Sequence, residues 1–442
     1  MKQLFLIRHA KSSWDDPQCQ DRDRPLNPRG ERQLPPLAHA LAHCGAFSGT
    51  VYASDAVRAR RTLEGILPGD LPAQRVQVCP ELYTFDYRRL LHWLQRRDDP
   101  QDTLALVGHN PALLELAAPL RGQPLAKLPT ASFVEIRLPV SAWRELGPGQ
   151  GRLERLLTPR DFSYAQFARK QRKHPDNPSS LPATLTHLLA WMRRLEPGIR
   201  TGLDDEFLHQ YRVAIRRSRA LAEALLDVTP NPTLARSVRH LRQHARATSR
   251  LRDLHVFLAE LATWDDTRGT APPALSAWLR AEADRAHRRF VHRLDGRRYH
   301  DHLDEWQRLI ESGRFRRLSE QLDARAIRQA VARRIRTFNR HTVELLHTAP
   351  DEDIHRLRKQ LKRIRYLMEL NPEHWRDRLK ALRQRQELYG RFQDRHVQIE
   401  WLDSFRAQAP AELVAATAPL RGRLSRDKTA IRRQILAQGG LL

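Results

Sequence analysis

The chain has 442 residues, of which 40% are hydrophobic and 29% charged, with a formal net charge of +26. This length exceeds one ordinary core, so we expect about two domains. No apolar run approaches the ~18 residues of a membrane span, and three scattered cysteines exclude a disulfide scaffold or a zinc ribbon. The apolar run from Leu4 to Ile7 is too short for a secretory signal, so we expect a soluble, cytoplasmic protein.

The positive charge is concentrated in the C-terminal part of the chain. Residues 1–160 have a net charge of +5, whereas residues 161–442 have +21. Such an excess repels itself within a folded domain. It indicates a persistent anionic partner such as nucleic acid, polyphosphate or an anionic membrane.

Residues 1–160 alternate short apolar runs with longer helical patterns, which is typical of an α/β domain. The predicted strands are Leu4 to Ile7, Gly49 to Ala53, Thr103 to Val107, Phe133 to Leu138 and Gly151 to Leu157. Helices are predicted from Gly30 to His43 and from Ala56 to Ile66. Phosphate sites in such sheets lie at the carboxyl ends of the strands.

The rest of the chain has a different pattern. Residues 161–182 are rich in Pro, Asn, Ser and charged residues, and we predict a linker there. Beyond it the strand patterns disappear. Segments rich in Leu, Ala and Arg with a helical period predict an all-α domain over residues 183–438.

The predicted helical domain contains an internal repeat. His209 to Arg219 aligns with His355 to Arg365 at an offset of 146, and His240 to Val256 aligns with Ala381 to Val397 at an offset of 141. Because the two offsets are nearly equal, we expect two copies of one helical unit.

Candidate catalytic residues occur in the first domain. Arg8 and His9 end the first predicted strand, and His109 directly follows the third. Arg24 lies in the segment DRDRPLNPRG, and Arg58 lies at the start of the second predicted helix. An Arg-His pair alone carries little weight, but the whole set is specific.

Because of these motif residues, the domain over residues 1–160 resembles the histidine phosphatase superfamily, and specifically its SixA-like phosphohistidine phosphatases. The segment LFLIRHAKS is similar to the RHG signature of that superfamily in its RHA variant, with Ala10 at the third position. The resemblance implies a phosphoglycerate-mutase-like α/β fold with His9 as the nucleophile. The implied catalytic set is His9, Arg8, Arg24, Arg58 and His109.

This set suits phosphoryl transfer. A neutral imidazole can attack phosphorus in line and form a phosphohistidine that water then hydrolyses, while cationic side chains hold the phosphoryl oxygens. We therefore expect an enzyme that requires no metal and no cofactor. Glu81 is the only candidate proton donor, and an ordinary loop carboxylate is an equally good interpretation. A phosphoramidate such as phosphohistidine needs little protonation by the enzyme.

The repeat places a basic stripe on each of two predicted helices. The stripe residues are His209, Arg212, Arg216 and Arg219 in the first copy and His355, Arg358, Lys362 and Arg365 in the second. The simplest alternative is a solvated amphipathic helix. However, like charges at these spacings destabilise a helix, and the spacing occurs twice, so a binding function is favoured.

These motifs resemble the CHAD domain, the conserved histidine α-helical domain, which consists of two pseudo-symmetric helical bundles around a basic groove that binds inorganic polyphosphate. The second pair of motifs agrees, since Arg250 and Asp253 match Arg391 and Asp394. By this resemblance the two aspartates orient arginines. Gln393 replaces Arg252 in the second copy, which leaves the role of Arg252 open. The implied groove residues are His209, Arg212, Arg216, Arg217, Arg219, Arg250, His355, Arg358, Lys359, Lys362, Arg363, Arg365 and Arg391.

Nucleic acid is the rival ligand for the groove, because any polyanion gains from counterion release. Nucleic-acid sites usually interleave aromatic side chains for base stacking, and the two stripes carry almost none. The remaining histidines, such as His174, His287 and His302, lack metal-ligand spacing.

The sequence therefore predicts a cytoplasmic phosphatase that acts on phosphohistidine or on small phosphorylated substrates. Its helical domain would hold it at inorganic polyphosphate, including polyphosphate granules, and no membrane partner is expected. Two alternatives stay open. One is a polyanion-binding protein with an idle phosphatase fold, and the other is a phosphatase that degrades polyphosphate itself.

Overall fold

The computed structural model describes residues 1–98, 100–171, 180–264, 272–345 and 349–441. The chain divides into two compact units, residues 1–175 with 197–204 and residues 176–196 with 205–442. The first unit is α/β and the second is all-α, which confirms the predicted fold classes.

The first unit contains a six-stranded sheet and seven described helices. The strands are β1 (Lys2–Arg8), β2 (Thr50–Ser54), β3 (Val76–Cys79), β4 (Thr103–Gly108), β5 (Phe133–Leu138) and β6 (Arg152–Leu157). The helices are α1 (Pro28–Glu31), α2 (Leu34–His43), α3 (Val57–Ile66), α4 (Tyr87–Gln95), α5 (Ala112–Arg121), α6 (Pro159–Phe162) and α7 (Tyr164–Gln171).

The sheet order is β3-β2-β4-β1-β5-β6. The first four strands are parallel, and β5 runs antiparallel to both of its neighbours, β1 and β6. Side chains of β1 alternate between two cores, with Leu4 and Leu6 in one and Phe5 and Ile7 in the other. Burial on both faces explains why this strand is a continuous apolar run in the sequence. Because β1, β2 and β4 are parallel, their carboxyl ends lie at the same edge of the sheet.

Two local predictions differ from the structure. The helix predicted from Gly30 to His43 is divided into α1 and α2, and a side chain at Gly30 would collide with the Lys11 carbonyl, since an added Cβ would lie 2.2 Å from its oxygen. The strand β3 and the helices α4 and α5 were not predicted. Their apolar patterns are short or lie on one side of the element, so they were not recognised in the sequence. In β3, for example, the four residues are exposed or only partly buried.

The start of the predicted linker 161–182 is instead part of the first unit. Residues 161–171 lie in α6 and α7. The Phe162 ring is buried and stacks on Phe133 with centroids 6.3 Å apart, and Asp161 caps the helix by accepting from the Thr158 backbone N–H at 2.8 Å. Residues 172–179 lie outside the described residues, and the next described helix, α8, begins at Leu181.

The regular elements described from residue 181 onward are all helices. They are α8 (Leu181–Thr201), α9 (Asp205–Val228), α10 (Pro232–Ala247), α11 (Ser249–Leu261), α12 (Pro273–Asp295), α13 (Arg297–Glu311), α14 (Gly313–Glu320), α15 (Ala324–Val343), α16 (Asp351–Met368), α17 (Arg376–Arg406) and α18 (Ala411–Ala437).

The repeated motifs occupy equivalent helices. His209 to Arg219 lies in α9 and His355 to Arg365 lies in α16, and these two helices pack against each other. The second motif differs between the copies. It is divided between α10 and α11 at Thr248 in the first copy, whereas the second copy lies within the continuous helix α17. The two stripes thus meet at the centre of the helical unit.

Candidate functional site

Two histidines lie at the carboxyl ends of neighbouring central strands. His9 follows β1 and His109 follows β4, and the parallel register pairs Arg8 with Gly108. The His9 backbone N–H also donates to the Gly108 carbonyl at 3.2 Å. As a result, the two imidazole centroids are 5.1 Å apart, at the edge where α/β sheets bind phosphate.

The His9 ring is held as a neutral imidazole. Nδ1 lies 2.7 Å from the Ala10 carbonyl oxygen, which can only accept, so Nδ1 carries the proton and Nε2 carries the lone pair. Arg58 Nε donates to Nε2 at 3.3 Å. Burial, together with the charges of Arg58, Arg8 and Arg24, lowers the pKa of His9 to about 3. Nε2 is therefore unprotonated at neutral pH.

Two of the predicted arginines converge on a carboxylate, Asp21. Arg24 Nη1 and Arg58 Nη2 each contact one Asp21 oxygen at 2.8 Å, and the Tyr83 hydroxyl donates to Asp21 Oδ2 at 2.8 Å. Burial raises the pKa of Asp21, but the hydrogen bonds from Tyr83 and Arg58 outweigh it and hold that pKa below its usual value. The ionised carboxylate occupies donors that phosphoryl oxygens would use.

Backbone and hydroxyl groups fix the arginines around the nucleophile. Arg8 Nη1 donates to the Leu128 carbonyl at 2.8 Å, and its Nε is buried without a partner within the described residues. Arg24 donates to Ser12 Oγ at 2.7 Å and to the Ser13 carbonyl at 3.0 Å. The guanidinium groups are therefore positioned before any ligand binds.

His109 is also neutral. Its Nε2 lies 2.8 Å from Ser54 Oγ at the end of β2, and Ser54 Oγ accepts from the Ala56 backbone N–H at 3.3 Å. Burial, with the neighbouring His9 and Arg58, lowers the pKa of His109 to about 2. If Ser54 donates to Nε2, the ring proton lies on Nδ1, which is buried and has no partner in the described part of the chain. That N–H is then available to a bound oxygen.

All five predicted residues, His9, Arg8, Arg24, Arg58 and His109, thus lie close enough for their charges to act on the two imidazoles or to contact the same partners. Sequence reasoning missed three residues of this cluster, Asp21, Ser54 and Tyr83. Ser54 ends a parallel strand, as Arg8 does, so the strand-end rule could have found it. Glu81 lies on an exposed turn and makes no ion pair within the described residues, which supports leaving it out of the catalytic set.

A basic groove of about 440 Å³ lies in the helical unit between α9, α10 and α16. The predicted residues that line it are Arg212, Arg216, Arg219, His355, Arg358, Lys359, Lys362 and Arg363. Six further polar lining residues were missed, namely Glu223, Arg242, Arg246, Thr248, Ser249 and Tyr366. Glu223 pairs with Arg242 at 3.0 Å and lies 3.5 Å from Arg219. The i, i+4 spacing of Arg242 and Arg246 on α10 was a usable signal.

Other predicted groove residues lie elsewhere. Arg250 pairs with Glu282 at 2.7 Å and stacks on Trp401, and Arg365 pairs with Glu369 at 3.2 Å. Arg217 and Arg391 are exposed side chains outside the lining. These four predicted residues therefore do not form part of the groove wall.

His209 is half-buried and also lies outside the lining. Burial, with the charges of Arg252, Arg216 and Arg212, lowers its pKa. In the second copy His355 Nδ1 lies 2.5 Å from Gln393 Oε1. The Arg252-to-Gln393 replacement therefore changes the neighbour of an equivalent histidine from a charge to a hydrogen-bonding amide.

The groove concentrates positive charge against two buried aspartates. Burial raises the pKa of Asp253 to about 6, although Arg212 opposes this shift, and burial likewise raises the pKa of Asp394 against the charge of Arg358. Burial, with Arg358 and Arg216, lowers the pKa of Lys362 to about 6. The groove therefore holds its cations at an electrostatic cost that a bound anion would relieve.

Within the described residues, no group of three or more His, Cys, Asp or Glu side chains is arranged to hold a metal ion. The described helices include none that is long and apolar enough to cross a bilayer.

The first unit is thus an α/β domain with a cluster of histidines and arginines at the carboxyl ends of its strands, and the second is a helical domain with a basic groove. The CHAD domain model matches residues 183–403, and the model of the histidine phosphatase superfamily (branch 1) matches residues 4–92. The chain belongs to the CHAD domain family and carries a histidine phosphatase superfamily domain in its N-terminal part.

Similar proteins match one or the other part. An uncharacterised chloroplastic protein of Arabidopsis thaliana is 31% identical over 172 residues, which cover 36% of this chain and 78% of that protein. An uncharacterised protein of Mycobacterium tuberculosis is 32% identical over 166 residues, covering 35% of this chain and 100% of its own.

Among solved structures, the protein histidine phosphatase SixA complexed with tungstate is 24% identical and covers 36% of this chain and 97% of its own, with a TM-score of 0.29. The CHAD domain from the plant Ricinus communis is also 24% identical and covers 58% of this chain and 90% of its own, with a TM-score of 0.48.

Proposed function

We propose that the chain is a phosphatase that works through a phosphohistidine on His9. The observation that carries the proposal is the unprotonated His9 Nε2 within hydrogen-bonding distance of Arg58, beside the neutral ring of His109. In-line attack by Nε2 forms the N–P bond as the bond to the leaving group breaks, and the leaving group takes up a proton. Water then attacks phosphorus, and inorganic phosphate and the neutral imidazole are regenerated.

The arginines stabilise the charge on the equatorial oxygens during both displacements. Arg24 and Arg58 would exchange the Asp21 carboxylate for phosphoryl oxygens of similar charge and geometry. Arg8 offers its unpaired Nε, and His109 offers Nδ1–H. This arrangement holds one terminal phosphoryl group and requires no metal ion or cofactor.

The substrate class follows from the lack, among the described residues, of a general acid that could protonate the leaving group. No described carboxylic acid with a raised pKa stands beside the nucleophile, because Asp21 is ionised and Glu81 is exposed. Substrates with a good leaving group are therefore favoured, namely phosphohistidine and small activated phosphorylated compounds. A binding protein with an idle phosphatase fold is disfavoured, because it would have no reason to retain a positioned nucleophile and its arginines.

The helical domain would bind inorganic polyphosphate in its groove and hold the enzyme there, in the cytoplasm and at polyphosphate granules. Tyr366 is the only aromatic side chain among the described lining residues, so the groove lacks the stacking platforms typical of single-stranded nucleic-acid sites. Polyphosphate would be the tether rather than the substrate, because the catalytic site is built for one activated phosphoryl group.

A substrate panel on the full chain tests the catalytic proposal. We expect kcat/KM for a phosphohistidine peptide to exceed that for the matching phosphoserine peptide by at least about tenfold, because the poorer leaving group needs an acid that the site lacks. Long-chain polyphosphate should release little phosphate. As a control, Glu81→Gln should leave the rates within about twofold. Absence of turnover on every substrate would favour the pure binding protein, and rapid release from polyphosphate would make polyphosphate the substrate.

The lowered pKa of Lys362 leads us to predict that the affinity for polyphosphate depends on pH. Its pKa of about 6 leaves the amine mostly neutral at pH 7. A bound polyanion favours the charged form, so binding takes up a proton above pH 6 and weakens as pH rises. We expect Kd to increase by up to about tenfold per pH unit between pH 6 and 8, as measured by titration calorimetry at constant ionic strength.

Matched variants identify the source of this dependence. Lys362→Gln should flatten the profile, leaving the contributions of His209 and His355, whose pKa values are lowered chiefly by burial, and of Asp253 and Asp394, whose pKa values burial raises. Lys380→Gln removes an exposed lysine outside the groove and should retain the full slope. A pH-independent Kd in the unaltered chain would contradict the prediction.

A further inference from the structure

A second cationic cavity lies in the α/β unit, apart from the catalytic residues. Its volume is about 550 Å³, which is in the size range of small-molecule sites. Four of its lining residues are cationic, namely Arg29, Lys127, Arg160 and Arg169, and no acidic residue belongs to the lining. Within the described residues, none of these four side chains forms an ion pair. Clustered cations without acidic partners repel each other, which a bound anion would offset.

The chain connections place this cavity next to the catalytic site. Lys127, Pro129 and Thr130 line the cavity, and Leu128, within the same loop, accepts the hydrogen bond from Arg8 Nη1 at 2.8 Å. The loop continues to Ala131, whose N–H donates to the backbone carbonyls of Arg8 and His9 at 3.1 Å each. One loop therefore contributes to both sites.

A second connection runs through Lys11, two residues after the nucleophile. Arg29 precedes Gly30, which packs directly on the Lys11 carbonyl. Burial lowers the pKa of Lys11, and the charges of Arg29, Arg24 and Arg8 lower it further. The positive potential at Lys11 therefore comes both from one cavity cation, Arg29, and from the arginines Arg8 and Arg24 of the catalytic site.

The lining indicates the chemistry of the ligand. Besides the four cations it contains the Thr130 hydroxyl and the Gln166 amide, while Pro129 and Pro159 form part of the wall. The lining has no aromatic residue that could stack on a base or a sugar ring. Guanidinium forks, an ammonium and a hydroxyl are the donors that phosphate oxygens accept from.

We propose that this cavity is a second phosphate-binding site, which takes a phosphate group other than the one that His9 attacks. The inference rests on the proposed phosphatase function for its neighbour, but not on the identity of the substrate. The phosphate could come from two sources. It is either a further phosphate of the same substrate molecule or a separate inorganic phosphate ion.

Inhibition of p-nitrophenyl phosphate hydrolysis by the full chain tests the site. The variant Arg160→Gln/Arg169→Gln removes two cavity cations, and Arg89→Gln/Arg144→Gln is the control, since it removes two exposed arginines of the same unit that do not line the cavity. If one molecule fills both sites, Ki for tripolyphosphate should rise by at least about tenfold in the cavity variant. Ki for orthophosphate, as well as KM and kcat, should stay within about twofold of the control.

The other source gives a different pattern. If a separate ion fills the cavity, orthophosphate should show a second, non-competitive component of inhibition in the unaltered chain that the cavity variant loses. Unchanged inhibition by both anions in the cavity variant would overturn the second site. Absence of turnover in the unaltered chain would contradict the phosphatase instead, and equilibrium dialysis of tripolyphosphate would then decide about the cavity. The cavity variant should lose one class of binding sites relative to the control, and equal binding would overturn the proposal.

Discussion

Substitution of His9 by Ala should lower turnover of p-nitrophenyl phosphate by at least about a thousandfold, because it removes the atom that forms the covalent intermediate. The pKa of about 3 means that His9 is already neutral between pH 5 and 8. The loss would therefore reflect the missing lone pair of Nε2 rather than a lost positive charge. Brief incubation of the unaltered chain with substrate, followed by denaturation, should trap phosphate that is labile in acid and stable in alkali.

His39→Ala is the matched control, since it removes an exposed imidazole on α2 of the same unit. It should retain both activity and the trapped phosphate. A His9→Ala protein with full activity would eliminate the proposed nucleophile. Turnover without any trapped phosphate in the unaltered chain would point instead to direct attack by water, with His9 in a supporting position.

The parts of the catalytic site that depend on strand ends could be predicted from the sequence. His9 and His109 follow apolar runs, and the parallel sheet places such residues at one edge. Asp21 and Tyr83 could not be found in this way. Their positions depend on hydrogen bonds between segments 62 residues apart, and no local pattern encodes such contacts. The carboxylate that occupies the arginines is therefore visible only in the structure.

The helical domain shows a related limit. The repeat predicts that α9 and α16 are equivalent, and the structure packs them together. The helical period does not predict which neighbouring charges a long side chain meets. Arg250 and Arg365 belong to the repeated motifs yet pair with Glu282 and Glu369, whereas Arg246 of α10 lines the groove without belonging to either stripe. Side-chain partners across helices decide the outcome.

The same limit applies to the linker. Its composition is polar and rich in proline from Thr158 onward, which indicated an extended segment. A single apolar residue, Phe162, changes that outcome, because it is buried in the core of the first unit beside Phe133. Burial of one aromatic side chain is worth a few kcal/mol, and together with the Thr158–Asp161 capping box it stabilises the start of this segment against the core.

The second large effect is expected in the groove. Reversal of Arg212, Arg216, Arg358 and Lys362 to Glu should weaken binding of long-chain polyphosphate to the full chain by at least about a thousandfold at low salt, because four cations that neutralise phosphates become anions. In the unaltered chain the affinity should fall steeply with salt, since several counterions are released at once. Fluorescence anisotropy of labelled polyphosphate across a salt series measures both quantities.

The control variant has the same change of charge outside the groove. Arg280, Arg289, Arg314 and Arg317 are exposed residues of the helical unit that do not line the groove. Reversing these four to Glu should cost at most about tenfold through the general field. Loss of binding as severe as in the groove variant would mean that net charge alone, rather than the groove, retains the anion.

The four groove residues include buried side chains beside Asp253 and Asp394, so their reversal could disturb folding as well as binding. The milder pair Arg246→Gln/Lys359→Gln separates these effects, because both side chains are exposed at the groove wall. It should weaken binding by about tenfold and lower the salt slope by about one to two counterions, with an unchanged melting temperature. Competition with single-stranded DNA at equal phosphate concentration identifies the ligand. The DNA should compete poorly, because the groove lacks the aromatic platforms on which single-stranded bases stack, and competition equal to that of polyphosphate would instead assign the groove to nucleic acid.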